Sequence, residues 1–282
     1  MEISKSNLVP RMPWNVMPVT ESLTVMMEKE RSVYKCSDYL KGTLGLRGVI
    51  DEEDGTKMVE WCYSIVNICQ LEQEAVTMAM EMVDCFLPKK SSSSVAMDML
   101  RDGIQFQLLT MTALYISIKI STKIALGSDF FSMISRDLYP IKEIEAMEMI
   151  LLQELSWCIS APTCAQMAHH ILLLMSTHVT FDETTWATIL NEIEYQAEYA
   201  VRDYYFVTQR PSTVALAAIL NATDRFNKKH ESQDAVRAVL SILKSAEFES
   251  IYVILSTRNK LHTLIYGNEH SEDEDEGTDN DQ

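Results

Sequence analysis

Apolar residues recur at three- and four-residue intervals along most of the chain, and five such stretches lie between Lys57 and Trp157. In the first, Met58, Cys62, Ile65, Val66 and Cys69 fall on one stripe of a helix. The second begins in the acidic Glu72-Gln73-Glu74, repeats Val76, Ala79, Met80, Val83 and Leu87, and stops at Pro88. The third, 106–120, is apolar on most sides, which predicts the central helix of a bundle. A fourth starts near Ser128-Asp129 and carries Phe130, Phe131, Met133 and Ile134. The fifth has Pro140 in its first turn and continues through Ile144, Met147, Leu151 and Leu155. After the break at Ala161-Pro162-Thr163, five further helices are predicted over 164–175, 183–207, 212–222, 232–245 and 248–264. The halves share local wording: Ala79-Met80-Glu81-Met82-Val83-Asp84-Cys85-Phe86 is echoed by Ala200-Val201-Arg202-Asp203-Tyr204-Tyr205-Phe206. In each half a small-residue helix follows, Thr112-Ala113-Leu114 or Val214-Ala215-Leu216-Ala217-Ala218, as a duplicated unit would have.

Upstream, Pro10, Pro13 and Pro18 predict an extended arm over the first twenty residues. Thr20-Glu21-Ser22-Leu23 then offers a cap, and Leu23, Met26, Met27 and Glu30 continue at helical spacing. Gly42, Gly45, Gly48 and Gly55 mark an irregular connection before the first bundle. The expected fold is all-α: two tandem five-helix bundles with an N-terminal helix. The expected division is an arm over 1–19, a first unit over 20–160, a second over 161–267, and an acidic tail over 268–282. Scarce Gly and Pro (8 and 7) and abundant Met (17) fit long helices.

Charge narrows the function. The formal charge of −17 disfavours nucleic acid, whose phosphates are held by Lys and Arg clusters. Eight acidic residues stand among the last fifteen, from Glu269 to Asp281, so a solvated, disordered tail is expected there. The six cysteines show no CxxC pair and read as reduced residues of an intracellular protein. Thr110, Thr112 and Ser117 interrupt the apolar run 108–120, which is too short and polar to span a bilayer, so no membrane association is expected. His169 and His170 are adjacent rather than at i, i+4, and neither a glycine-rich phosphate loop nor a nucleophile elbow occurs. Catalytic residues, a metal site and cofactors are therefore not expected.

Met58-Val59-Glu60-Trp61, then 79–87, Gln107-Leu108-Leu109 through Ala113 to Lys119, and Met147-Glu148 before Leu155-Ser156-Trp157 with Ala161-Pro162-Thr163, resemble in order an N-terminal cyclin box. The preceding helix, with Tyr34 and Tyr39 beyond it, is similar to the N-terminal helix of D- and A-type cyclins. Pro211-Ser212-Thr213-Val214-Ala215 looks like the third helix of a C-terminal box. The resemblance covers about 21–264. It implies a regulatory subunit of nucleus and cytoplasm that binds and activates a cyclin-dependent protein kinase in cell-cycle control. Lys119 and Glu148 fall where cyclins grip the kinase's regulatory helix, and Leu23 matches an apolar position that packs on the kinase. Met58 and Trp61 match walls of the groove that captures short Arg-x-Leu substrate peptides, while Asp54 stands where a methionine is usual.

Other positions depart from the family as well. Lys119 is followed by Ile120, Ser121 and Thr122 instead of an aromatic and two acids. The family arginine that pairs with the aspartate matching Asp84 is here Gly55, so another donor, Lys57 among the candidates, is expected beside Asp84. These departures motivate the rival reading, a degenerate scaffold or adaptor of the same fold that binds partners without activating a kinase. A DNA-binding relative is disfavoured by the acidic charge.

Overall fold

Two helices buried on nearly every side organise the chain. The computed structural model describes residues 17–41, 50–88, 99–124, 126–225, 237–239, 241–242 and 248–267. Residues 1–16 of the arm expected over 1–19, Gly42, Gly45 and Gly48 of the expected connection, and the acidic tail lie outside them. Among the described residues there is helix and no strand. In order the elements are α1 (Met17–Arg31), α2 (Glu52–Ile68), α3 (Glu74–Phe86), α4 (Gly103–Ser121), α5 (Ser128–Ile134), α6 (Ile141–Glu154), α7 (Cys164–Met175), α8 (Glu183–Ala200), a 3-10 turn (Tyr204–Thr208), α9 (Pro211–Arg225) and α10 (Ile251–Tyr266). The described residues separate into two units, one of those within 28–163 with 201–210, the other of those within 17–27, 164–200 and 211–267.

In the first unit α4 is the sheathed helix: every residue from Leu108 to Ile118 is buried, with α2, α3, α5 and α6 against it. The apolar-all-round pattern expected there is thus realised, starting earlier than 106 because Asp102 accepts from the Ile104 N–H at 2.9 Å and caps the helix. Two of the polar side chains inside it are satisfied, Thr110 donating to the Phe106 carbonyl at 3.0 Å and Ser117 to the Ala75 carbonyl of α3 at 2.6 Å, while the buried Thr112 hydroxyl has no hydrogen-bond partner. In the second unit α9 has the same role, buried from Ser212 to Thr223 among α7, α8 and α10. Its Asn221 donates to Gln196 Oε1 at 3.1 Å and accepts from Arg258 Nε at 3.1 Å, so its buried amide is not orphaned.

Several boundaries differ from the expectation, each for a local reason. The first helix starts at Met17 rather than Thr20 and contains Pro18. A proline in the first turn lacks only an N–H that would have had no helical partner. Gly55, expected in the irregular connection, lies inside α2, whose start is set by a capping box: Asp51 accepts from the Asp54 N–H at 3.0 Å and Asp54 from the Asp51 N–H at 3.3 Å. The helix expected over 183–207 ends at Ala200. There Asp203, in extended backbone, accepts from the Tyr205 N–H at 2.9 Å and opens the 3-10 turn, so 200–206 is not a helical counterpart of 79–86. Of the helix expected over 232–245, only 237–239 and 241–242 are described, and they are helical. The last helix runs from Ile251 to Tyr266 instead of over 248–264.

Candidate functional site

Helices α4 and α6 pack together in the first unit and bring Lys119 and Glu148, 29 positions apart in sequence, into an ion pair of 2.9 Å. Lys119 sits in the last turn of α4, where the negative end of the helix favours a cation. Its ammonium also reaches Tyr115 Oη at 3.4 Å and lies 5.2 Å from the Tyr115 ring centre. The hydrogen bond to Glu148, the larger influence, and the one to Tyr115 raise the ammonium pKa against the opposing effect of burial. The Lys119 side chain is 54% exposed and that of Glu148 15%. With its lysine half-exposed, the ion pair adds only about 0–1 kcal/mol to stability. Exposed apolar side chains flank it, Ile120 and Ile124 after the lysine and Met149 beside the glutamate.

The departures after Lys119 have a structural use. Ser121 donates to the Ser117 carbonyl at 2.7 Å and Thr122 to the Ile118 carbonyl at 3.0 Å, while the Thr122 hydroxyl accepts from the Ile124 N–H at 3.2 Å. These hydroxyls close the C-terminal end of α4 and are turned back on the chain.

Leu23 is placed differently from the expectation. It is 2% exposed and lies in the second unit, so it packs inside this chain and presents no surface to a partner. Neighbouring Ser22 is within hydrogen-bond distance of His170 Nε2, at 3.1 Å, and His170 Nδ1 lies 2.9 Å from the Gln166 carbonyl. Burial lowers the pKa of the adjacent His169. Met58 and Trp61 stand at i, i+3 on α2, partly buried against the core. Asp54 is committed to the capping box and lies 3.9 Å from Lys57.

Asp84 has a donor, and it is not Lys57. Lys57 pairs with Glu53 at 2.8 Å on the surface of α2. Instead Tyr39 donates its hydroxyl to Asp84 Oδ1 at 2.9 Å, inside the core. Tyr39 is itself held edge-on against Tyr204, with ring centres 5.2 Å apart, and the Tyr204 hydroxyl accepts from the N–H groups of Tyr39 and Leu40, both at 3.0 Å. Tyr204 Oη also donates to Asp38 Oδ1 at 3.0 Å. Burial pushes the Asp84 carboxyl up to about 7, against the lowering effect of the Tyr39 hydrogen bond. A cavity of about 30 Å³ adjoins it, lined by Gly55, Val59, Met80, Phe106 and Tyr204 among others. Arg202, a second residue with no earlier signal, bonds Glu60 at 2.6 Å and lies 4.2 Å over the Tyr63 ring. A Cβ at Gly55 would meet nothing within 4 Å. Gly55→Ala is therefore expected to stabilise the chain by about 1 kcal/mol, read as a higher urea midpoint with an unchanged slope.

Other candidates are absorbed by the fold. In α10, Arg258 is bonded to Asp224 and Asn221 and Leu261 is fully buried. Among the described residues no three His, Cys, Asp or Glu side chains come together as a metal site requires, and no helix is long and apolar enough to cross a membrane.

Comparison with known proteins adds family to geometry. Residues 21–160 match the family described as cyclin, N-terminal domain. The G2/mitotic-specific cyclin-A1 of Caenorhabditis elegans is 23% identical over 67% of this chain, a stretch spanning 34% of that relative's length. Cyclin-D4-1 of Arabidopsis thaliana is 22% identical over 86% of the chain and 76% of its own. Among solved structures, a viral cyclin from herpesvirus saimiri has the same fold at a TM-score of 0.55 and 11% identity, covering 89% of this chain and 99% of its own.

Proposed function

From the premise that this chain belongs to the cyclin family through its residues 21–160, we propose that it binds a cyclin-dependent serine/threonine kinase and activates it, in nucleus and cytoplasm, in cell-cycle control. The observation that carries the reading is the Lys119–Glu148 pair, which joins the last turn of α4 to the middle of α6 with the lysine half-exposed, close in sequence to the exposed apolar Ile120, Ile124 and Met149. A lysine supplies three donors to backbone carbonyls and a glutamate accepts from backbone or side-chain donors, so the pair is suited to hold a helix and its flanking loop in one orientation. In kinases the lysine–glutamate contact that positions ATP forms only when the helix bearing the glutamate is turned inward. A subunit with higher affinity for that inward arrangement shifts the population toward it and needs no catalytic group of its own.

Substrate docking on α2 belongs to the same proposal in altered form. Met58 and Trp61 remain as apolar walls, while Asp54, bound into the helix cap, withdraws a third. A standard Arg-x-Leu peptide is thus expected to bind more weakly than to A-type cyclins. Titration of a labelled peptide, with Trp61→Ala as reference, measures this.

The test mixes the purified chain with candidate cyclin-dependent kinases and follows both complex formation and peptide phosphorylation. The wild type is expected to raise the rate, and Lys119→Ala with Glu148→Ala to weaken binding by ~30-fold or more, the usual cost of truncating a buried interfacial charge pair. Urea unfolding should change by no more than about 1 kcal/mol in the variant, because the lysine of the pair is half-exposed in the free chain. Binding without any rise in rate would overturn activation and support the scaffold reading. That reading has its own observation, the turning of Ser121 and Thr122 back onto α4 where cyclins present acids.

A further inference from the structure

Cys36 and Cys85 are 49 positions apart in sequence, yet their sulfurs lie 3.1 Å from each other. Cys36 is in the segment that follows α1, and Cys85 lies one residue before the end of α3. Their exposures differ: Cys85 is buried, whereas Cys36 is only partly buried. Asp84, one residue before Cys85, is held by Tyr39, three residues after Cys36, so the two segments are already fastened in register. One turn back on α3, Glu81 Oε2 is buried without a hydrogen-bond partner, which adds an unrelieved acceptor beside the thiols. The proposed kinase contact uses none of these groups.

We propose that Cys36 and Cys85 form a modification site at which a two-electron oxidant of the peroxide class creates an intramolecular disulfide between the post-α1 segment and α3. The partly buried Cys36 sulfur, as thiolate, attacks one peroxide oxygen. The O–O bond breaks, the departing oxygen leaves as water after taking a proton, and Cys36 becomes a sulfenic acid. The Cys85 sulfur gives up its proton and attacks the Cys36 sulfur. The S–O bond breaks and a second water leaves. In sum two thiols and one peroxide yield one disulfide and two waters, the sulfurs losing two electrons. Contact between the sulfurs makes the second step intramolecular and fast relative to further oxidation of Cys36. The hydrogen bond with Cys85 and burial together hold the Cys36 thiol well above the ordinary range, so thiolate is scarce and formation of the sulfenic acid is the slow step.

The full chain is treated with a few equivalents of hydrogen peroxide, its remaining thiols are blocked with N-ethylmaleimide in denaturant, and it is digested without reduction for mass spectrometry. A peptide linking Cys36 to Cys85, two hydrogen masses below the sum of its parts and lost on dithiothreitol treatment, is expected at least about tenfold above any other cysteine pair. Cys36→Ser and Cys85→Ser should each abolish it. Should the buried Cys85→Ser fail to fold, the wild type and the partly buried Cys36→Ser carry the test alone. Predominant linkage of Cys36 to Cys158, or conversion of Cys36 to sulfinic acid while Cys85 remains alkylatable, would overturn the proposal.

Discussion

Replacing Leu114 with alanine is expected to destabilise the first unit by about 2–5 kcal/mol, because Leu114 is fully buried in α4 and its removal leaves a cavity that surrounding helices fill only in part. Ile120→Ala, on the same helix but 44% exposed, should change stability by no more than about 0.5 kcal/mol. The two differ again in function. If the proposed kinase contact is right, Ile120→Ala weakens complex formation while the folded population is intact, whereas Leu114→Ala acts only through folding. Urea unfolding followed by far-UV circular dichroism, beside kinase binding, separates them. Equal stability losses would mean that α4 is not buried as described.

The second large effect concerns Tyr39 and Asp84. The Asp84 carboxyl, pushed up to about 7 by burial, holds its proton in the folded chain over a range where the unfolded chain has lost it. The folded state then binds more protons than the unfolded, so this group makes stability fall as pH rises from about 4 toward 7, with the full penalty present above 7. Asp84→Asn, which can still accept from Tyr39, is expected to remove that fall and gain stability at pH 8 relative to pH 5. Tyr39→Phe deletes the hydroxyl that relieves the carboxylate. It should cost about 1.5–3 kcal/mol at pH 8 and less at pH 5, where the carboxyl is protonated. Urea midpoints for the three proteins at pH 5, 6, 7 and 8 measure both slopes. A wild-type profile parallel to that of Asp84→Asn would rule out the raised carboxyl.

The helices were legible because their signal is local. A stripe such as Met58, Cys62, Ile65, Val66 and Cys69 needs only the 3.6-residue repeat, and the all-apolar pattern of α4 needs only a position at a bundle centre. Lys119 and Glu148 were legible through the order of surrounding motifs, and their meeting follows from the packing of α4 on α6. Tyr39 carried no comparable signal. Burial of Asp84 and loss of the family arginine at Gly55 announced that some donor was needed, yet only a contact across 45 positions identified it. The ending of α8 at Ala200 was missed for a related reason: periodicity continues through 201–207, but Asp203 caps a new turn and Val201, Tyr204 and Val207 pack on the first unit's core.

What the amino-acid order determined by itself, then, is the all-helical class, the two centrally buried helices and Lys119 and Glu148 as candidate contact residues. Each follows from residue type repeated at helical spacing or from an ordered set of short motifs. The tertiary structure decided that Leu23 is interior, that Tyr39 serves Asp84 and that Cys36 meets Cys85. The physical reason is one of range. Helical periodicity is set by hydrogen bonds four residues apart, whereas the partner of a buried carboxyl or thiol is whichever group the packed core brings within about 3 Å, and sequence spacing does not encode that.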